Sequence, residues 1–244
     1  MLNELKGATW PEALIFFLVA NLAIFIGSVA ICYWLGHQFR AKRIFDRWQP
    51  MRSLEVGAAF GCVGLNGLVS MLGWWLWKSD YIVIYSTQLR YSLLHCLAMT
   101  LFMDFGMYVF HRLAHQPLAY RLFHSFHHRH ETTNPISLFV LHPAEVIGFG
   151  LLMIAYLLMF PISMAGLVGY LILNVLWGTL GHSGVEPLPA RLATVPLLRL
   201  GGTSTFHAEH HEHPKYNFGF YTLLWDKLFG TLDPEYEKRF KQES

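Results

Sequence analysis

Two long stretches without a charged side chain constrain the fold of this 244-residue chain more than any other feature. They cover residues 13–36 and 56–77, and each is as long as the roughly 20 apolar residues that a bilayer-spanning helix requires. Only 14% of the residues are charged, against about 25% in an average soluble domain. The sequence therefore predicts an all-α integral membrane protein built as a helical bundle.

Three further apolar segments are less regular. Residues 91–110 form a third candidate span, but they contain His95 and Asp104, and ionisable groups are costly in a bilayer unless they face a protein interior. This segment is either a span with one functional face or a partly submerged helix. Residues 146–160 and 162–180 are separated by Pro161, which cannot continue a helix interior, and we interpret them as a hairpin that dips into the membrane and returns.

Histidines form three tight clusters between residues 111 and 211. His111 and His115 are four residues apart, and the pattern His-x-x-His-His begins at His124 and again at His207. Residues three and four apart on an α-helix are surface neighbours, so each cluster is predicted to present its imidazoles on one side of a helix. Together with His182, which stands alone between the second and third clusters, this spacing predicts a metal site.

The number of histidines predicts two metal ions. A tetrahedral zinc site needs about four ligands, which is fewer than the clusters and His182 provide. Imidazole binds zinc, copper, iron and nickel alike, and the three cysteines, Cys32, Cys62 and Cys96, lie in apolar stretches away from the clusters. The spacing alone therefore does not choose the metal.

A basic loop between the first two spans predicts the orientation. Such loops remain cytoplasmic, and this one contains Arg40, Lys42, Arg43, Arg47 and Arg52. If the second and third segments both cross, the chain returns to the cytoplasm near residue 111, and the hairpin enters and leaves by that face. All histidine clusters are then predicted to meet on the cytoplasmic side.

The order of the histidine motifs resembles that of the membrane fatty-acid hydroxylase and sterol desaturase superfamily. The resemblance covers residues 103–234 and rests on several motifs. They are His111-Arg-Leu-Ala-His115, His124-Ser-Phe-His127-His128, Gly181-His182-Ser-Gly184 and His207-Ala-Glu-His210-His211, with Asp104 before them, His142-Pro143, Asn217-Phe-Gly219 and Trp225-Asp-Lys-Leu-Phe-Gly230-Thr231.

This resemblance implies a non-haem di-iron centre that uses dioxygen and two electrons to hydroxylate, or sometimes desaturate, an aliphatic carbon of a lipid. The implied substrate is a fatty acyl chain, a sterol or an isoprenoid. Some members place a further histidine where this chain has Gly178, so a tenth ligand is either missing or replaced by water. The residues that the resemblance implies as ligands are His111, His115, His124, His127, His128, His182, His207, His210 and His211.

Nearby carboxylates are expected to orient the imidazoles through their second ring nitrogen. The candidates are Asp104, Glu145, Glu209 and Asp226. Asp104 comes first and is our predicted catalytic residue, because it lies two helical turns before His111 on nearly the same face. The alternatives are that it pairs with Arg112 or caps a neighbouring helix.

The remaining histidines have simpler interpretations. We expect His130 and His213 to be solvated, and His37 and His95 to be interfacial or packing residues. His142 either supports the metal site or forms a structural turn before Pro143.

The chain is predicted to form a single membrane domain over residues 1–244. Residues 1–90 are the N-terminal anchor region, 91–234 the hydroxylase-like catalytic region and 235–244 a polar, solvated tail. The N-terminus lacks a cleavable signal, and its short polar start favours a bacterial inner membrane. A net charge of +2 argues against nucleic acid as a partner.

Three functions remain open at this point. A lipid hydroxylase comes first, and a desaturase on the same site is the near alternative. The third is a zinc-dependent or non-redox metal-binding membrane protein, and zinc can also occupy the site in purified protein. The chain has neither a Cys-x-x-Cys pair nor a Gly-x-Gly-x-x-Gly motif, so an oxygenase needs an external electron donor. A ferredoxin, or a small haem protein with its reductase, is implied.

Overall fold

The fold is almost entirely helical in this computed structural model, which describes residues 2–243; Met1 and Ser244, the two ends of the predicted domain, lie outside them. Two strands of two residues each, β1 Ile84–Tyr85 and β2 Ile162–Ser163, pair in parallel and are a small departure from the all-α prediction. The α-helices are α1 Leu2–Gly7, α2 Trp10–Gln38, α3 Ser53–Lys78, α4 Leu89–Ala114, α5 Pro117–Ala119, α6 Pro143–Met159, α7 Met164–Gly181, α8 Ser204–Glu212, α9 Leu224–Phe229 and α10 Tyr236–Glu243.

Among residues 2–243, four helices, α2, α3, α4 and α7, are long and apolar enough to cross a membrane. The predicted spans 13–36 and 56–77 lie inside α2 and α3, and the third candidate, 91–110, lies inside α4. Pro161 separates α6 from α7 as predicted. The two arms of the predicted hairpin are nearly equal in length, since α6 has 17 residues and α7 has 18, which is about 26 and 27 Å of helix.

The apolar helices pack closely where small residues allow it. A Cβ atom on Gly150 of α6 would lie 2.4 Å from Cγ1 of Val69 on α3, and one on Gly67 would lie 2.8 Å from Cδ2 of Leu18 on α2. A larger residue at either glycine would have to displace these side chains. These contacts bring α2, α3 and α6 together, and α4 packs against α7 on the other side of the bundle.

The loops at one end of the bundle gather around the histidines. The basic loop between α2 and α3 forms part of this assembly, since the amide of Ile44 donates to the carbonyl of Gly184 at 3.1 Å and that of Glu186 donates to the carbonyl of Lys42 at 2.9 Å. The indole of Trp48 donates to the carbonyl of Ser183 at 3.0 Å. The basic residues used to predict orientation therefore lie at the same end as the histidine clusters.

The C-terminal segment is more ordered than the predicted solvated tail. Residues Tyr236–Glu243 form the amphipathic helix α10, whose Tyr236 and Phe240 are buried against Phe206 of α8 and Leu223. The prediction overlooked that two aromatic residues four positions apart form an apolar face within this highly charged segment. Only the charged face of α10 matches the predicted solvated tail.

Candidate metal centre

The nine histidines converge on two adjacent groups. Within each group, one potential ligand atom per residue lies within 4.8 Å of all the others. The five-histidine group consists of His111, His115, His124, His128 and His210. The four-histidine group consists of His127, His182, His207 and His211.

The two His-x-x-His-His motifs are shared between the groups in a reciprocal way. His124 and His128, four residues apart, enter the five-histidine group, whereas His127 enters the four-histidine group. In the last motif, His207 and His211 enter the four-histidine group and His210 crosses to the other. Each motif therefore supplies an i, i+4 pair to one group and its intervening histidine to the second.

The local backbone differs from the predicted helices in one motif. Residues 207–211 lie on α8, and His111 lies near the end of α4 with His115 as its C-terminal cap, as spacing on a helix predicts. The second motif instead spans a π-helical turn, Tyr120–His124, and a 3-10 turn, His127–Arg129. Our prediction of an α-helix was wrong there, because histidine spacing alone does not distinguish an α-helix from a combination of π-helical and 3-10 turns.

Backbone carbonyls fix the orientation of three rings. The Nδ1 atom of His111 lies 3.0 Å from the carbonyl oxygen of Phe218, that of His127 lies 3.2 Å from Val140, and that of His210 lies 2.6 Å from Tyr216. A carbonyl only accepts hydrogen bonds, so each Nδ1 must carry the proton. The Nε2 lone pair is then free for a metal ion, which is the tautomer that metal-binding histidines commonly use.

Side chains fix two further rings in the same manner. Nδ1 of His124 bonds to Oε1 of Glu145, which is buried. Nδ1 of His182 lies 2.8 Å from Oγ of Ser137, whose hydroxyl donates to the carbonyl of Asn134 at 2.8 Å. Because the Ser137 proton is used for Asn134, its oxygen accepts from His182. Five of the nine rings therefore have a defined partner at Nδ1.

The spacing between Nε2 atoms fits ligands around a common ion. Nε2 of His207 lies 3.0 Å from that of His182 and 3.2 Å from that of His211, and Nε2 of His210 lies 3.1 Å from that of His128. Two nitrogens each about 2.1 Å from one ion and at right angles to one another would lie about 3.0 Å apart. The Nε2 atoms of His115 and His124 are buried without a hydrogen-bond partner, which is costly unless a ligand such as a metal ion satisfies them.

Burial keeps these imidazoles neutral. Desolvation lowers the pKa of His127 to about 3, partly opposed by its hydrogen bond to Val140, and lowers that of His115 to about 2 with further repulsion from His111 and His127. Neutral imidazole is the form that coordinates a metal. At neutral pH the site therefore offers lone pairs rather than positive charges.

Asp104, the first choice from the sequence, lies in a different hydrogen-bond network. Its carboxylate accepts from the backbone amides of Tyr221 and Thr222, both at 3.1 Å, from the Thr222 hydroxyl and from the indole of Trp225 at 3.0 Å. Our expectation that it orients an imidazole directly was wrong. Seven residues along a helix are about 10 Å, so Asp104 is too far from the ring of His111. A role in catalysis stays a prediction.

The other candidate carboxylates have distinct surroundings. Among the four carboxylates predicted to orient an imidazole, Glu145 is the one that hydrogen-bonds to one. Asp226 accepts from the amides of Phe218 and Gly219 at 2.8 and 2.7 Å, so it holds the loop whose carbonyl orients His111. Glu209 lies 3.5 Å from the guanidinium of Arg239, on the side of α8 that faces α10.

One of the histidines outside the motifs differs in burial from its prediction. His130 is fully buried, with its Nε2 3.3 Å from Oε2 of the buried Glu55, so the prediction that it is solvated was wrong. No spacing signal connects two residues 75 positions apart. His213 is exposed as expected, and His142 caps α6, where its Nδ1 accepts from the amide of Ala144 at 3.2 Å.

A cavity of about 260 Å³ extends from the histidines into the helical bundle. His124 and His207 line its metal end, and Met103, Phe149 and Met153 belong to its apolar walls. A mainly apolar cavity of this kind can accommodate an aliphatic chain.

Gly178 has no room for a larger residue. A Cβ atom there would lie 2.8 Å from Cδ1 of Leu138 and 3.4 Å from Cζ of Phe220. Both of these side chains line the cavity. The space beside the four-histidine group is thus filled by apolar atoms of the cavity wall rather than by a tenth protein ligand.

Comparison with known proteins gives a family match over the region that contains the metal centre. A family model described as fatty acid hydroxylase matches residues 96–231, more than half of the chain. A Delta(7)-sterol 5(6)-desaturase of Eremothecium gossypii is 31% identical over 146 residues, which cover 59% of this chain and 39% of that protein. The very-long-chain aldehyde decarbonylase CER1 of Arabidopsis thaliana is 30% identical over 193 residues, which cover 74% of this chain and 29% of that protein.

The chain thus matches less than half the length of each of these relatives. No solved structure matches it with significance.

Proposed function

Because the chain belongs to the fatty acid hydroxylase family, we propose that it is a membrane-bound, non-haem di-iron oxygenase that hydroxylates an aliphatic carbon of a lipid. The single observation that carries this proposal is the pair of histidine groups at one end of an apolar cavity. The nine histidines are the proposed ligands. The proposed substrate is a fatty acyl chain, a sterol or an isoprenoid.

The two iron ions, when bound, would supply the oxidising chemistry that activates dioxygen. In the overall reaction one oxygen atom is inserted into a C–H bond, and the other leaves as water with two protons and two electrons. The chain itself holds the ions through Nε2 atoms whose tautomers are set at Nδ1 by Phe218, Val140 and Tyr216. The apolar cavity excludes water and positions the lipid carbon near the ions.

The donor set is compatible with iron and with zinc, so metal analysis is needed to distinguish them. Imidazole nitrogen suits both metals, and in an all-nitrogen site the neighbouring carboxylate Glu145 helps to balance the cationic charge. Iron in active protein with oxygen-dependent turnover would support the oxygenase. Zinc in the functional protein without oxygen uptake would favour the non-redox alternative.

A desaturase on the same site is the second candidate. It is favoured by the similarity to a protein named Delta(7)-sterol 5(6)-desaturase. Both reactions begin with removal of a hydrogen atom from an aliphatic carbon, so the geometry of the histidines serves either. The two products differ by one oxygen and two hydrogen atoms, which mass spectrometry resolves.

We propose that the metal centre of this multi-pass membrane protein lies on the cytoplasmic face. The four candidate spans and the position of the basic loop beside the centre support this arrangement. The relatives named above come from a fungus and a plant, so they give no support to the bacterial inner membrane expected from the sequence. We propose that electrons arrive from a ferredoxin, or a small haem protein with its reductase, at the basic face.

We also propose that residues 1–90 and 91–234 form one domain. Helices α2 and α7 are linked by a hydrogen bond of 2.6 Å between the hydroxyls of Ser28 and Thr179. The basic loop packs on the strand-like segment that follows His182. An isolated catalytic region would lose these contacts.

Comparative lipid analysis tests the proposed function. Cells that express the wild-type chain and cells that express His127→Ala are labelled with ¹⁸O₂, and their lipids are compared by mass spectrometry. A lipid that carries one ¹⁸O atom only in wild-type cells would support hydroxylation. A product that has lost two hydrogens without ¹⁸O would support desaturation, and no difference between the strains would contradict both.

A further inference from the structure

Polar side chains line the cavity deep within the bundle, where the membrane-spanning helices are otherwise apolar. Asn21 of α2, Asn66 and Ser70 of α3, and Asn174 of α7 all contribute to its wall. Asn66 lies near the middle of α3, thirteen residues after Ser53 and twelve before Lys78. Polar groups in a spanning helix are costly and tend to mark the path of a substrate or an ion.

The hydrogen bonds of these asparagines are only partly satisfied. The amide nitrogen of Asn21 donates to the carbonyl of Phe17 at 2.8 Å, and that of Asn66 donates to Sγ of Cys62 at 3.5 Å. Within residues 2–243, neither Oδ1 atom has a donor. Oδ1 of Asn174 accepts from the Tyr221 hydroxyl at 2.5 Å, which leaves the Asn174 amide N–H groups for another acceptor. The wall therefore offers unpaired acceptors and an unpaired donor.

The helix that carries Asn174 gives the depth of its side chain in the bundle. Asn174 precedes His182, the C-terminal cap of α7, by eight residues, which is about 12 Å of helix. The polar group of Asn174 thus lies about 12 Å below the level of His182.

The charge of the wall restricts what these groups can bind. Among the described residues that line the cavity, none is a lysine or an arginine, and the acidic side chain is that of Glu145 at the metal end. A carboxylate or phosphate at the deep end would have no cation to neutralise it, which is costly in an apolar environment. A hydroxyl, in contrast, both donates and accepts a hydrogen bond.

We propose that the polar groups of Asn21, Asn66 and Asn174 form a recognition site for a neutral lipid hydroxyl, which sets the carbon that is oxidised. The hydroxyl would donate to Oδ1 of Asn66 or Asn21 and accept from the amide of Asn174. The oxidised carbon would then lie about 12 Å from the Asn174 end of the site in depth, at the histidine end. This inference rests on the proposed function, because it assigns the orientation of the lipid substrate of that same centre.

Equilibrium binding with matched probes tests the recognition site. Wild-type protein in phosphatidylcholine nanodiscs is titrated with two pairs, hexadecan-1-ol against hexadecane and cholesterol against cholestane, and with hexadecanoate. One hydrogen bond is expected to favour the alcohol of at least one pair about two- to tenfold, and hexadecanoate should bind more weakly than hexadecanol. Equal binding of alcohol and hydrocarbon in both pairs would overturn the proposal.

Two variants and a control assign any preference to these residues. Asn66→Leu and Asn21→Leu should reduce the preference while leaving hydrocarbon binding within about twofold of wild type. Thr100→Val is the matched control, because Thr100 also lies in a spanning helix but lines a different cavity, beside Trp177 and Leu197. An undiminished preference in both asparagine variants would contradict the assignment.

Metal content measured on the same samples separates the two proposals. If the protein binds iron but does not distinguish alcohol from hydrocarbon, the recognition site is wrong and the oxygenase stands. If it prefers the alcohol but shows no iron and no oxygen uptake, the recognition site stands and the proposed function is wrong.

Discussion

Replacing Glu145 by glutamine is expected to weaken metal binding selectively at the five-histidine group. Glu145 uses one oxygen for Nδ1 of His124 and the other to accept from the amide of His142 at 3.1 Å. Glutamine retains only one oxygen. If that oxygen continues to cap α6, the amide NH₂ faces His124 and must donate to Nδ1. The ring then carries its proton on Nε2 and has no lone pair for the metal.

The size of the effect follows from this change of tautomer. Loss of a partner that orients a metal-binding histidine typically lowers metal affinity about 10- to 100-fold, or about 1.4 to 2.8 kcal/mol. The four-histidine group should be less affected, because its His182 is oriented by Ser137 and its His127 by Val140. The helix cap would remain, so the stability of α6 should change little.

Metal titration of the apoprotein measures this difference. We expect wild-type protein to bind two ions and Glu145→Gln to bind one with unchanged affinity and the second about 10- to 100-fold more weakly. Glu131→Gln is a matched control, because Glu131 is exposed and close in sequence to the same histidines. Two ions bound with wild-type affinity in Glu145→Gln would refute the proposed role of this carboxylate.

Four further outcomes follow from the same geometry. His127→Ala should lower the bound metal from two ions to about one and abolish turnover while the protein remains inserted, as measured by elemental analysis and oxygen uptake; full activity would contradict the ligand assignment. Ser137→Ala should weaken the four-histidine group instead, about 10-fold in a metal titration. Removing metal with a chelator should lower the thermal midpoint of wild-type protein, because ions that bind only the folded state stabilise it, and an unchanged midpoint would argue against occupied sites. Gly178→Val should cost about 1–3 kcal/mol of stability, visible as a lower midpoint at unchanged metal content, because even a Cβ atom there would lie 2.8 Å from Cδ1 of Leu138.

The histidine spacing predicted convergence but not the way the two groups are divided. The sequence motifs identified all nine residues as candidate ligands, and the structure places them within two groups. The division depends on the π-helical turn that ends at His124 and on the 3-10 turn that begins at His127. Such turns depend on tertiary contacts, for example the hydrogen bond between His127 and Val140, that no local pattern encodes.

Carboxylates were harder to assign than histidines, and the reason is geometric. Asp104 and His111 lie on the same helix, so their separation along the axis is fixed and cannot be shortened by folding. Glu145 lies on another helix, α6, and contacts His124 from there. Sequence analysis favours carboxylates that are close to a histidine along the chain. A carboxylate that orients an imidazole must instead approach the ring from the side opposite the metal. That approach is set by packing between α6 and the residues after α5.

The contacts at Nδ1 also imply that the metal centre and the loops depend on one another. The rings are held by carbonyls of Val140, Tyr216 and Phe218, by the hydroxyl of Ser137 and by the carboxylate of Glu145. These partners come from several separate segments, while the histidines come from others. An ion bound by Nε2 atoms therefore joins all of these segments at once, since each of these five rings connects its own segment to a second segment and to the metal. The apolar helices can insert without metal, but the arrangement of loops that closes the cavity should require it, which makes the metal part of the fold at this end of the bundle.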